Sequence, residues 1–398
     1  MNNGNIKRFD LSIDTLQELR RSIESKYGRE VECINDYSMN AYRFVLRENN
    51  NVTVAIVPFN SETGRYNQIQ FNPNINEELR YSIRSILQYI PWIRKIFILM
   101  PNKKVKFLKS INKIKGKIIY VKDKDFLGYD SANIHAFTFN LYKMNKFGIS
   151  KNFIYMEDDF FIGKPLKKTD FFYYDAKKQK VFPYLLNSCS KTINKSKIIN
   201  DYYNILKYKH SIHPHSNKGW RFSILSTYKY FIDRYNITLI GIKYTHNAMG
   251  ENIDDIKEIF EVIKDYEYIN ETLLSKERHI LTLNQPYFYN LYQLNINHRK
   301  VHPIPYKYIR IETVNKANLN KALFVINTGR HKPTKKQYKI QKIIMEKRFP
   351  NPSKYEKIAG KDIIIKNLYI VFFHIIFVFI KLLKKTDILN IQNFRVFK

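Results

Sequence analysis

Phe153-Ile154-Tyr155-Met156-Glu157-Asp158-Asp159-Phe160-Phe161-Ile162-Gly163 sets three consecutive carboxylates between two apolar runs. The first run has no polar break and suits a strand buried on both faces, as in a parallel sheet. Three carboxylates at the end of such a strand repel one another and resist leaving water. Two readings stay open for them. Either a bound cation neutralises the cluster, or the three form a solvated acidic turn that caps the next segment.

Upstream, Asn76 is a good N-cap, and Glu77 and Glu78 put negative charge in the first helical turn. Leu79, Ile83, Ile86, Leu87 and Ile90 follow as one buried stripe, and Pro91 ends the helix. Arg80 and Arg84 are four apart and share a face beside that stripe, where they meet either a phosphate or nearby acids such as Glu77. Residues 52–57, 95–100 and 117–121 read as strands. Ser131 is a natural N-cap for a second helix, with Ile134, Phe137, Leu141 and Met144 inside and Gly148 as its stop. This alternation predicts an α/β domain, Rossmann-like, with a mostly parallel sheet flanked by helices. Ligands of open α/β sheets bind outside the carboxyl ends of the strands, where Ser131, Asp158 and Asp159 fall.

Downstream, 220–235 reads as a helix, 239–244 as an apolar run ending at His246, and 253–263 as amphipathic. The stretch 280–294 is aromatic-rich with Pro286 inside, and 322–326 is a last strand running into Asn327. His210, His213 and His215 have metal-like spacing, but a histidine trio in a polar loop is usually solvated. Three parts are expected: an N-terminal extension over 1–50, with a helix at 12–26 and an extended stretch at 42–46; a main domain over 51–330; and a basic connector and tail over 331–398. The tail's apolar run at 368–380 falls short of the ~20 residues that span a bilayer. It fits an interfacial helix whose flanking lysines meet anionic lipid, or a buried core helix.

Across 398 residues, 68 Lys and Arg against 35 Asp and Glu give a formal charge of +33, which implies polyanionic company. Basic residues are spread along most of the chain rather than gathered on one face, so nucleic acid is not the expected partner. Cys33 and Cys189 leave no disulfide framework and no cysteine-based zinc site. Met1 to Asp10 lacks the apolar core of a secretory signal, so a cytoplasmic place, peripheral to the inner face of the membrane, is expected.

Taken together these motifs resemble the Stealth family of sugar-phosphate transferases. The likeness runs from Asn76-Glu77-Glu78-Leu79-Arg80-Tyr81-Ser82-Ile83-Arg84 through Pro91-Trp92-Ile93-Arg94 and Tyr129-Asp130-Ser131 to the acidic strand end and Asp170-Phe171-Phe172. Later likenesses are a histidine after a short strand (His246), an arginine before an aromatic-rich helix (Arg278), and an apolar strand ending in Asn327. The sequence departs from the family pattern at Asp130, His135, Glu157 and Thr328, and the family's first conserved region is not recognisable.

The resemblance implies transfer of a sugar-1-phosphate from a nucleotide sugar to a saccharide acceptor hydroxyl, releasing a nucleoside monophosphate. It implies Glu78, Arg80, Arg84, Ser131, Arg278 and Asn327 on the substrate, and Asp158, Asp159 and His246 in catalysis. Arginines suit bidentate contact with phosphate, Asp158 and Asp159 suit Mg²⁺ or Mn²⁺, and an imidazole titrates in the useful range. Ser131 needs no role beyond a cap, and a histidine after a strand is often structural. Competing expectations are a metal-dependent glycosyltransferase and a non-catalytic binder of polyanions or membrane surfaces.

Overall fold

The computed structural model describes residues 31–36, 41–46, 52–57, 77–100, 107–108, 117–131, 133–175, 178, 180–185, 188–214, 216–235, 237–243, 247–276, 278–302, 304–310, 319–327 and 334–356. β1 (Thr53–Val57), β2 (Ile96–Met100), β3 (Ile118–Lys122) and β4 (Asn152–Glu157) run parallel in the main sheet. β5 (Phe160–Ile162) follows at once but leaves for another sheet, and β6 (Met249–Asn252) joins β4 antiparallel at the edge. The order in space is β6–β4–β1–β2–β3. Phe153, Ile154, Tyr155 and Met156 are wholly buried, as a central strand covered on both faces requires.

From β1 the chain steps to β2 and β3 on one side, then returns to β4 on the other side of β1. The strand order therefore reverses between β1 and β4, whose carboxyl ends pair Val57 with Glu157. Such a reversal opens a crevice between the loops that leave the two strands. The acidic turn stands at that crevice.

α1 (Glu78–Tyr89) connects β1 to β2, and Leu79, Ile83, Ile86 and Ile90 are fully buried along its inner face. The N-cap position belongs to Glu77 and not to Asn76; Glu77 takes a left-handed φ of 44° and makes no side-chain cap bond. α2 (Ile134–Phe139) is capped by Asn133, whose side chain accepts from the His135 amide at 3.1 Å. Ser131, the expected cap, sits earlier and accepts from the Asn133 amide at 3.0 Å. The helix continues as a 3₁₀ segment, Leu141–Phe147, and stops at Gly148 with φ 77°, where glycine is favoured.

α3 (Asn217–Arg234), α4 (Ile253–Val262) and α5 (Gln285–Asn295) share the core of the sheet through Phe231, Ile256, Ile259, Phe288 and Leu291. Pro286 lies in the first turn of α5, where its missing N–H costs nothing, so it starts that helix rather than interrupting it. A second sheet has the order β7 (Tyr306–Arg310), β8 (Leu323–Asn327), β5. α6 (Lys335–Arg348) lies in the stretch expected to be a connector, yet it packs: Met345 and Phe349 join Tyr81, Phe161, Phe324 and Ile326 in one buried cluster.

Ala41–Leu46, around the extended stretch expected at 42–46, pairs with Val31–Asp36 as a hairpin. The helix expected at 12–26 and the apolar run at 368–380 lie outside the described residues. Among the described residues no helix is long and apolar enough to cross a membrane.

Candidate active site at the acidic strand end

The turn Asp158–Asp159 is where the chain passes from one sheet to the other, and both sheets hold it. The Ile326 amide of β8 donates to the Asp159 carbonyl at 3.3 Å. Ser82 of α1 donates to the Phe160 carbonyl at 2.8 Å, and the Ile162 amide donates to Ser85 Oγ at 3.0 Å. One helix thus fixes the backbone of β5 and, from its first turn, brings up Glu78, which is 1% exposed.

Four carboxylates converge here. Burial, then the negative charge of Asp158, pushes Glu157 up to about 8; Arg278 and the Tyr155 hydroxyl, 3.4 Å away, pull it back. Asp159 is raised well above the usual carboxylate range by burial, then by Glu157, Asp158 and Glu78. Its Oδ1 is buried with no hydrogen-bond partner among the described residues. The half of the expectation that made the strand end a solvated turn therefore gives way, since Asp158 is 3% exposed and its neighbours are half-buried.

A divalent cation is the natural relief for such a cluster, and the donor set is of the right kind: hard oxygens, one of them unpartnered. Among the described residues no group of three or more His, Cys, Asp or Glu side chains is arranged to hold a metal.

Arg278 brings positive charge to Glu157. Its guanidinium lies 6.0 Å over the Trp220 ring, and its Nε has no hydrogen-bond partner among the described residues. Ser131 ties the β3–α2 loop to the segment that carries Arg278: it is 4% exposed, and its hydroxyl lies 3.2 Å from the Lys276 carbonyl. Tyr129 adds a parallel tie, donating to the Leu273 carbonyl at 3.0 Å.

Arg80 and Arg84, expected on phosphate, are engaged elsewhere. Arg84 donates from Nε and Nη2 to Glu356 at 2.8 and 2.7 Å and from Nη1 to the Phe349 carbonyl at 2.8 Å. Arg80 contacts Glu77 at 2.6 Å and Glu356 at 3.3 Å and covers the Phe107 ring at 4.7 Å. Burial works against the Glu356 charge, but bonds from Arg84 and the Ser353 amide, with the charges of Arg84 and Arg80, hold its carboxyl below the usual range. These arginines fasten α6 and the chain after it to α1.

His246 lies outside the described residues, and so does His215; His210 and His213 are exposed. β6 opens at Met249 opposite Tyr155, which brings Asn247 toward the carboxyl end of β4. Asn247 is 1% exposed, and neither amide atom of its side chain has a hydrogen-bond partner among the described residues. Asn327 ends β8 one residue after the amide that bonds Asp159. Sequence reasoning missed Asn247 and Trp220. Each is a lone polar or aromatic residue with no spacing signal, placed by contacts or pairings far away in the chain.

Residues 73–181 match the family model of the Stealth protein CR2, conserved region 2. The stretch holds Glu78, Arg80, Arg84, Ser131 and the whole acidic turn, and stops short of Trp220, Asn247 and Arg278. The capsular polysaccharide phosphotransferase fcs1 of Haemophilus influenzae is 36% identical over 100 residues, 24% of this chain and 26% of that protein. The capsular polysaccharide phosphotransferase cps1A of Actinobacillus pleuropneumoniae is 37% identical over 100 residues, with the same coverage. The matched stretch thus spans about a quarter of those relatives. Mouse xyloside xylosyltransferase 1 in its apo form aligns with 71% of this chain and 99% of its own at 9% identity and a TM-score of 0.34.

Proposed function

We propose, from the premise that residues 73–181 are a Stealth conserved region 2, that this chain transfers a sugar-1-phosphate from a nucleotide sugar to an acceptor hydroxyl in surface polysaccharide assembly. A nucleoside monophosphate leaves, and a phosphodiester is formed. The observation that carries the reading is the excess negative charge at the sheet's switch point: four carboxylates, an Asp159 oxygen unpartnered among the described residues, and Arg278, whose charge acts on Glu157.

A cluster that repels itself when empty is stabilised by what a diphosphate donor brings with it, a divalent cation between its oxygens and the carboxylates. Asp158 and Asp159 would hold Mg²⁺ or Mn²⁺, which supplies positive charge against the diphosphate and the charge developing at phosphorus. Arg278 meets the donor's phosphate oxygens from the other side, its Nε still unspent. Ser131 and Tyr129 hold the loop that presents it. The acceptor proton goes to His246 or to one of the aspartates. Glu157, pushed up to about 8, keeps a proton at neutral pH in the empty site and is a poor base there. The charge of +33 draws the protein to the inner, anionic face of the membrane.

The test is to incubate the protein with a panel of nucleotide sugars and Mg²⁺ or Mn²⁺ and to separate the nucleotide products. A nucleoside monophosphate supports the reading. A nucleoside diphosphate reassigns the protein to glycosyl transfer, and no turnover alongside salt-sensitive binding to polyanions makes it a binder.

A further inference from the structure

We propose that Trp220 is the positioning residue that holds Arg278 at the acidic turn, and through it sets how the donor is bound. The inference rests on the phosphotransfer reading. It adds to that reading a residue outside the matched stretch.

The indole sits in the first turn of α3 and meets two groups. The His135 ring stacks on it with centroids 5.9 Å apart and planes 23° from parallel, and the Arg278 guanidinium lies 6.0 Å over it. Neither support for the indole is loose. His135 is fully buried and accepts from the Gln285 amide at 3.4 Å, so α5 fixes the ring on which the indole rests. Next to Trp220 the backbone is pressed against a loop: a Cβ at Gly219 would stand 2.6 Å from the Pro214 carbonyl oxygen. Ser216 closes the helix start, its hydroxyl accepting from the Gly219 amide at 3.1 Å. The indole therefore cannot drift along its helix.

Arg278 lacks such support of its own. It is half-buried on a segment outside any helix or strand, and its Nε makes no hydrogen bond among the described residues. An aromatic face attracts a guanidinium and restricts its rotamers. On this geometry the ring aims the cation at Glu157, and the donor's diphosphate finds it already in place. Pre-set orientation of this kind acts mainly on donor binding.

Two experiments decide it. In the first, Trp220→Leu and Trp220→Phe are compared in steady-state kinetics with the nucleotide sugar that the wild type turns over. The expected result is a KM for the donor raised about tenfold or more in Trp220→Leu, with a smaller fall in kcat, and recovery to within about threefold in Trp220→Phe, which keeps a ring face. Trp220→Phe also guards against loss through misfolding. Equal KM and kcat in Trp220→Leu and wild type would overturn the proposal, as would a Trp220→Phe protein that melts like wild type but is as impaired as Trp220→Leu.

The second needs no substrate. The chain has two tryptophans, so Trp92→Phe leaves Trp220 as the reporter. In that background Arg278→Ala should change the emission of the ligand-free protein. Unchanged emission removes the contact and the proposal with it. If the wild type turns over no nucleotide sugar, the phosphotransfer reading fails, and the emission experiment still decides whether Trp220 holds Arg278.

Discussion

α1 carries two buried charge clusters that differ in kind. From its first turn Glu78 joins Glu157, Asp158 and Asp159, like charges that, after burial, raise the proton affinity of Glu157 and Asp159. On another face, Arg80 and, nearly two turns after Glu78, Arg84 close on Glu356, whose carboxylate is held below the usual range. Both clusters lie in the interior and both cost desolvation. In the second the opposite charges pair off, whereas in the first like charges adjoin and Asp159 Oδ1 has no hydrogen-bond partner among the described residues. A balanced cluster is complete as it stands. The proposed function assigns the cation of a bound donor to the other.

The largest expected effect separates the two at once. Asp158→Asn and Asp159→Asn should each lower turnover by about 10³-fold, while the melting temperature holds or rises because repulsion is relieved. Turnover intact in both variants would break the comparison. Arg84→Ala should do the reverse. Leaving Glu356 buried with only Arg80 and the Ser353 amide is expected to cost about 3 kcal/mol of stability, read by chemical denaturation, with activity per folded molecule largely kept. If Arg84→Ala instead abolished turnover without loss of stability, the arginine would belong on phosphate after all.

A third measurement sharpens the contrast through pH. Glu157 titrates near 8 in the folded chain, above its unfolded value, so the folded state binds the extra proton and stability falls as pH rises from about 4.5 through 8. The slope from one such group is at most about 1.4 kcal/mol per pH unit. Glu251, fully buried on β6 and raised to about 8 by burial, adds a slope of the same sign. Glu157→Gln should remove its own share and leave that of Glu251. Glu356 behaves oppositely: its contribution is present above the usual carboxylate pKa and is lost as pH falls through its depressed folded value. Mg²⁺ should flatten the alkaline slope by displacing the shared protons, and its affinity, measured by calorimetry, should rise with pH.

The smallest effect lies between the clusters. Ser85 accepts the Ile162 amide and donates to the Ser82 carbonyl at 2.7 Å. Ser85→Ala should cost about 1–2 kcal/mol of stability. A fall in turnover beyond that would mean that α1 also sets the geometry of the turn through β5.

The sheet and its flanking helices were legible because their signals are local: an apolar run for β4, a four-residue period for α1, a glycine stop at 148. The acidic turn was legible for the same reason, being continuous in the chain. Where two caps compete within three residues, local reading chose Ser131 and the fold uses Asn133. The spacing left phosphate or nearby acids open for the arginines, and Arg80 does meet Glu77, but the main partner of Arg84 is far away in the chain. Arg84 and Glu356 are 272 residues apart, and no pattern near Arg84 announces it. Trp220 and Asn247 escaped notice because their surroundings are built by β4, α2 and the 278 segment, not by their neighbours in sequence.

That long separation also bears on how the chain is made. A contact between residues 272 apart closes a loop whose entropy cost is about 5 kcal/mol beyond a constant. On the ribosome, Arg84 emerges long before its carboxylate does. Through most of synthesis the stripe of α1 can collapse onto β1 and β2 while the guanidinium on its other side stays in water. The clamp therefore belongs to the final stage of folding, when α6 docks. A nascent chain halted before residue 349 is expected to expose that side of α1 to protease, and release of the finished chain should seal it.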